Sequence, residues 1–285
     1  MTENQANAAL VAEIPEGAAT GEIARIYDEM RVYCAVPYVS TLQRHVATMP
    51  GCLEWMWAAL RPAFLSGDIP ETAWRLAGSV EVAPLPPLSA SALRVFGVDE
   101  AGAETIRSIC ELFVRVSPIN LLFAACVRRL LEGETGQGQD APSAGWTPPA
   151  PVPALPPMAD PATLAADPAA VLLQLGDAAP GGAVVVPGLY RFLARWPGYL
   201  AHIATELGPR FHDPATREAC DAIATRITDA APEILSRLPA LTGGPTPPGA
   251  AQTTAILAAL DHYKGTSPEM VIFGTLLRDA LPGEI

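Results

Sequence analysis

The residue types able to do chemistry are few, and their spacing excludes more than it offers. The four histidines, His45, His202, His212 and His262, are scattered. None pairs with another His or Cys at the spacing that puts two metal ligands on one helix face, so no metal site is expected. The five cysteines, Cys34, Cys52, Cys110, Cys126 and Cys220, form no CxxC pair and are odd in number. That is the pattern of reduced thiols in a cytoplasmic protein. No GxGxxG follows a strand, and there is no P-loop, HExxH or GxSxG. Neither a cofactor cradle nor a nucleophile elbow is predicted.

Arginine offers the sharper signal. Thr41–Phe64 and Gly188–Phe211 match at a constant offset of 147, with nine of 24 positions identical, and Arg44 and Arg191 are matched within them. Each precedes a Pro-Gly joint. A buried guanidinium needs a carboxylate or helix-end carbonyls as partner. It therefore serves either as an internal salt bridge or as the receptor for a small carboxylate. Trp55, Trp57 and Phe64 in the first copy, and Trp196, Tyr199 and Phe211 in the second, recur at helical spacing and read as core.

These residues imply helices to carry them. A second echo, at an offset of 150, matches Ser117–Arg128 with Ser267–Arg278. The predicted fold is all-α, two tandem helical repeats forming a pseudo-dimer: residues 1–133, a Pro-rich linker over 134–161, and residues 162–285. Eight prolines between Pro142 and Pro161 make the linker extended. Thr20 is placed to cap a helix carrying Ile23, Ile26, Tyr27 and Met30, and Ser40 to cap one reaching Met49. Pro50 is read as a first-turn residue of a helix to Leu65. Asp99 caps a helix to Val116, Pro118 starts the next, and the second half is read as 168–177, 189–195, 198–210, 214–238, 250–264 and 269–281. Ala183–Val186 is the one β-like run. Ligand cavities are common between such halves.

The chain is half hydrophobic and carries a net charge of −12. Its 18 basic residues include a single lysine, Lys264. An acidic surface disfavours nucleic acid, and no stretch reads as a membrane span or as a signal peptide.

The run Ala19–Arg31, then Val36-Pro-Tyr38, then Ala47–Gly51, resembles the first repeat of the DehI-type DL-2-haloacid dehalogenases. Leu193–Pro197 is similar to their second repeat. The helical pattern also resembles the wider AhpD-like superfamily, without its CxxC. The resemblance covers most of the chain. It implies a homodimer and a cofactor-free hydrolysis: an Asp of the second repeat activates water, which displaces halide from the α-carbon of a 2-haloalkanoate with inversion and no covalent ester. Carried over residue by residue, the resemblance puts Leu189 at the Asp position and Gly188 beside it. It puts Tyr38 and Thr41 at pocket aromatics, Ser117 at a water-orienting Asn, and Tyr263 at a late pocket Tyr. No acid stands between Asp177 and Glu206, and Glu54, Asp177 and Glu269 are the nearest carboxylates. No catalytic residue is therefore assigned. The expectation is a protein that acts on, or only binds, a small 2-substituted carboxylic acid, with Tyr38, Thr41, Arg44, Ser117, Gly188, Leu189, Arg191 and Tyr263 around the pocket.

Overall fold

The structure, a computed structural model, describes residues 12–138, 145–178 and 184–283, apart from the side chains of Ala178, His262 and Tyr263. Among these residues the fold is all-α. The helices are α1 (Gly21–Cys34), α2 (Thr41–Val46), α3 (Cys52–Leu65), α4 (Asp68–Ala77), α5 (Ala90–Val95) and α6 (Glu100–Leu131). They continue as α7 (Ala166–Leu173), α8 (Gly188–Leu193), α9 (Pro197–Leu207), α10 (Pro214–Asp229), α11 (Ala231–Arg237) and α12 (Ala250–Ala280). The β-like run contributes one short strand, Val184–Val185, paired antiparallel with Asp177–Ala178.

Two compact units divide the chain discontinuously. The first is Met1–Val80, Arg115–Pro151 and Ala222–Pro268. The second is Glu81–Val114, Val152–Asp221 and Glu269–Ile285. Each therefore draws on both halves of the sequence.

In the first unit, α1 buries Ile26, Tyr27, Met30 and Cys34, close to the face its periodicity predicts. Opposite them α3 brings Trp57, Leu60 and Phe64, and the far half of α6 brings Leu122, Phe123 and Val127. Trp57 and Phe64 lie 4.9 Å apart, ring to ring. Glu29 joins α1 to α3. It accepts from Trp57 Nε1 at 2.6 Å and takes Arg61 in a two-pronged contact at 2.8 Å on each prong. In the second unit Leu172, Leu189, Leu193, Leu200, Ile203, Ile106, Ile109, Phe273 and Leu277 are buried.

Several local expectations change. Pro118 and Pro268 do not start new helices but lie inside α6 and α12. A helical proline frees the carbonyl four residues earlier. Near that break the indole of Trp74 donates to the Arg115 carbonyl at 2.9 Å. Pro50 stays outside α3, because Gly51 takes a left-handed φ of 78° and the helix starts at Cys52. Thr20 and Ser40 occupy the N-cap positions without a capping bond. Asp99 does cap, accepting from Gly102 N at 2.7 Å. By length and composition α6 could cross a membrane, yet two thirds of its most apolar window is buried inside the protein, as in a core helix.

Arg61, followed by Trp57 and Arg25, holds the Glu29 carboxyl down to about 2. A depressed carboxyl contributes stability above its ordinary value of 4.5, lost as pH falls through 2. Glu29→Gln should lower stability at pH 7 by about 1–2 kcal/mol and flatten the acid limb, as read by chemical denaturation at pH 3, 5 and 7.

Candidate functional site

In the first unit the structure brings Tyr38, Thr41 and Arg44 together. The α1 helix ends at Ala35, whose left-handed φ of 54° turns the chain sharply into Val36-Pro37-Tyr38. The short α2 then places Thr41 and Arg44 on adjacent turns. Arg44 is only 8% exposed. Its Nη2 donates to the Tyr38 hydroxyl at 2.7 Å and to Thr41 Oγ1 at 3.3 Å, and its guanidinium carbon stands 4.8 Å from the Tyr38 ring centre. The Tyr38 and Thr41 hydroxyls are 3.3 Å apart. Burial pushes the Tyr38 phenol above its usual range, opposed by the Arg44 charge.

Tyr38 is also one wall of a cleft. Met30, Cys34, Phe64, Val116, Ile119 and Phe123 give it an apolar lining, and Ser40, Gln43 and Asn120 add polar groups. It encloses about 10 Å³ in which the centre of a water-sized molecule fits, room for about one water. The Gln43 amide donates to Asn120 Oδ1 at 2.9 Å and accepts from the Ser40 hydroxyl. Sequence reasoning missed Gln43 and Asn120. Asn120 carries a readable signal: it lies three residues after Ser117, on the same face of α6. Ser117 itself is buried. None of the polar lining groups is a carboxylate, so nothing in this cleft can take a proton from water at neutral pH.

The remaining predicted residues lie in the second unit, except Tyr263, whose side chain is outside the described residues. Leu189 is wholly buried. A Cβ added at Gly188 would meet Phe113 Cζ at 3.0 Å and Met158 Sδ at 3.3 Å, so even serine would crowd Phe113. Arg191 Nε donates to the Ala159 carbonyl at 3.1 Å, and Ala159 N returns a bond to the Arg191 carbonyl at 3.1 Å. That guanidinium ties α8 to the linker backbone. The two sequence-matched arginines thus meet different partners.

The three carboxylates near the missing acid differ. Glu54 sits on the first turn of α3 with one oxygen buried and unpartnered. Asp177 is exposed on its strand. Glu269 is half-buried, and burial, then the Asp177 charge, push its carboxyl up to about 7 against Arg217. The Tyr190 hydroxyl, which feels both carboxylates, is wholly buried with no hydrogen-bond partner. Burial pushes the thiols of Cys34, Cys110 and Cys126 up to about 12, which leaves them poor nucleophiles. Among the described residues no cluster of three His, Cys, Asp or Glu could hold a metal ion.

Two stability tests follow from these environments. Leu189→Asp puts a carboxylate where no water reaches and should cost about 3 kcal/mol or more, measured by urea denaturation. Glu269 has a raised carboxyl, whose contribution is complete below 4.5 and lost as pH climbs through 7. Glu269→Gln should therefore leave stability at pH 4 unchanged and raise it at pH 8 by about 1 kcal/mol after solvent screening.

No family model matches the sequence. The chain is 25% identical over 218 residues to an (R)-2-haloacid dehalogenase of Pseudomonas putida, covering 73% of this chain and 71% of that one. A D-2-haloacid dehalogenase mutant in complex with D-2-CPA shares the fold at a TM-score of 0.69, with 20% identity and 95% of both chains covered. A D-2-haloacid dehalogenase with L-LA gives a TM-score of 0.68 at 22% identity, covering 95% of this chain and 96% of that one. The comparisons agree with the resemblance read from the sequence and with the all-α fold.

Proposed function

We propose that this protein belongs to the 2-haloacid dehalogenases it resembles and binds a small 2-substituted carboxylic acid in the cleft beside Tyr38. The observation that carries the reading is the lining of that cleft: apolar walls with a few convergent polar groups and no acid among them. Amide and hydroxyl groups suit a carboxylate, and Met30, Phe64 and Phe123 suit a short alkyl or halogen substituent. The cleft admits about one water, so a three-carbon acid needs lining side chains to move. Met30, unbranched and adaptable, is the wall best able to re-pack.

Binding without turnover follows from the missing base. General-base help is typically worth about 10²–10⁴-fold, and Leu189 supplies none. A second reading, hydrolytic dehalogenation, is favoured by Glu269 alone, a half-buried carboxyl poised near neutral pH.

The two readings separate in one experiment. The full chain is incubated with each enantiomer of 2-chloropropionate, following halide release and the shift in melting temperature. A raised melting temperature with halide at the uncatalysed background is the expected result. Halide release that rises through about pH 7 and vanishes in Glu269→Gln would transfer the conclusion to the second reading. Neither a melting shift nor halide with either enantiomer would overturn both.

A further inference from the structure

The Arg44 guanidinium is already in contact with a carboxylate, and the chain itself provides it. Glu13 Oε2 lies 3.1 Å from Arg44 Nη2. The contact is an ion pair without hydrogen-bond alignment: Glu13 Oε2 and Arg44 Nε are both buried, and neither has a hydrogen-bond partner. A guanidinium meets a carboxylate best through two parallel bonds. Here Nη2 is shared among Tyr38, Thr41 and Glu13, while the buried Nε has no hydrogen-bond partner.

The backbone around Glu13 is fixed more firmly than its side chain. Ile14 N donates to the Arg44 carbonyl at 3.0 Å, and the Tyr27 hydroxyl donates to the Ile14 carbonyl at 3.1 Å. The Ala12 carbonyl meets His45 Nδ1 at 2.7 Å. Further on, Glu16 accepts from Val39 N at 3.2 Å and pairs with Arg31. Residues 12–16 are thus strapped along α2, from Val39 ahead of it to His45 in its last turn. The Glu13 side chain remains 29% exposed, so it has a way out to solvent.

We propose that Arg44 is the anchor for the ligand's carboxylate, and that Glu13 occupies its place in the free protein as a built-in competitor. A small monocarboxylate displaces the Glu13 side chain by rotation about its own bonds, leaving the strap backbone in place. It gains the unpartnered Nε that Glu13 leaves empty, and its α-carbon and substituent stand beside Tyr38, which both Arg44 and the cleft share. A buried guanidinium without a counter-ion would be costly, so the internal carboxylate keeps the empty site intact. The inference rests on the binding of a small acid proposed above and specifies where its charge is received.

Titration calorimetry on the full chain tests it, with 2-chloropropionate and, as the uncharged counterpart, 2-chloropropionamide. Glu13→Gln should tighten binding of the acid by about tenfold and leave binding of the amide unchanged. Glu13→Asp, which keeps the charge but shortens the reach, should fall between wild type and Glu13→Gln and guards against a folding defect in either variant. If wild type binds the acid and Glu13→Gln binds it equally or more weakly, the competitor role is overturned while the ligand class stands. If both variants and wild type are folded and none binds the acid at millimolar concentration, the ligand class itself is overturned, and the role of Glu13 with it.

Discussion

A guanidinium taken out of water must be given acceptors, and the first unit is arranged around that demand. Arg44 is fixed on α2 by its own backbone, and everything that answers its charge comes from elsewhere in the chain or from the next turn. Tyr38 arrives through the left-handed turn at Ala35, Thr41 through the start of α2, and Glu13 through the strap laid along it. Ala35 in that conformation costs about 1–2 kcal/mol relative to an ordinary helix residue. The return is the direction of Tyr38, which faces the guanidinium with its hydroxyl and the cleft with its ring. The geometry of the cleft is therefore inherited from an electrostatic requirement, and its apolar walls are laid over it.

The second unit treats the corresponding register differently. Residues 147 or 150 positions beyond Gln43, Phe64 and Phe123 are Tyr190, Phe211 and Phe273. In the second unit Phe211 links the other two rings, to Tyr190 at 6.4 Å and to Phe273 at 5.0 Å. An amide in the first position goes with a cleft, and a ring in the same position goes with a filled core. One substitution in a matched register thus separates space from packing, as expected where interiors are close-packed.

Much of this was legible in the sequence, for stated reasons. Helical periodicity located α1 and α3, and the matched runs marked α2 and α8, which begin and end 147 residues apart. The aromatic positions were read as core: Trp55, Trp57, Phe64 and Tyr199 are buried, while Trp196 and Phe211 are only partly so. Arg44 could be singled out by its matched spacing with Arg191, and Tyr38 and Thr41 by the family resemblance. The polar arm of the cleft was not legible. Gln43 and Asn120 lie 77 residues apart and meet only through packing of α2 against α6. Proline misled in α6 and α12, because a long continuous helix can carry one in its interior, as both do at Pro118 and Pro268. The divergence of Arg44 from Arg191 was hidden for a similar reason. Their partners, Glu13 and the Ala159 carbonyl, are distant in sequence and unlike in kind.

The discontinuous make-up of the units bears on the order in which the chain leaves the ribosome. The first unit begins with α1 yet needs residues up to Pro268 before it is complete, and the second needs the last turns of α12. Neither is complete on an N-terminal fragment, although Trp57 and Phe64 already have their partners on α1 and α6 once residue 131 is made. Domains that finish early leave little apolar surface open during synthesis. This one finishes both units late, so truncation at the proline-rich connector leaves both of them incomplete rather than yielding one whole unit.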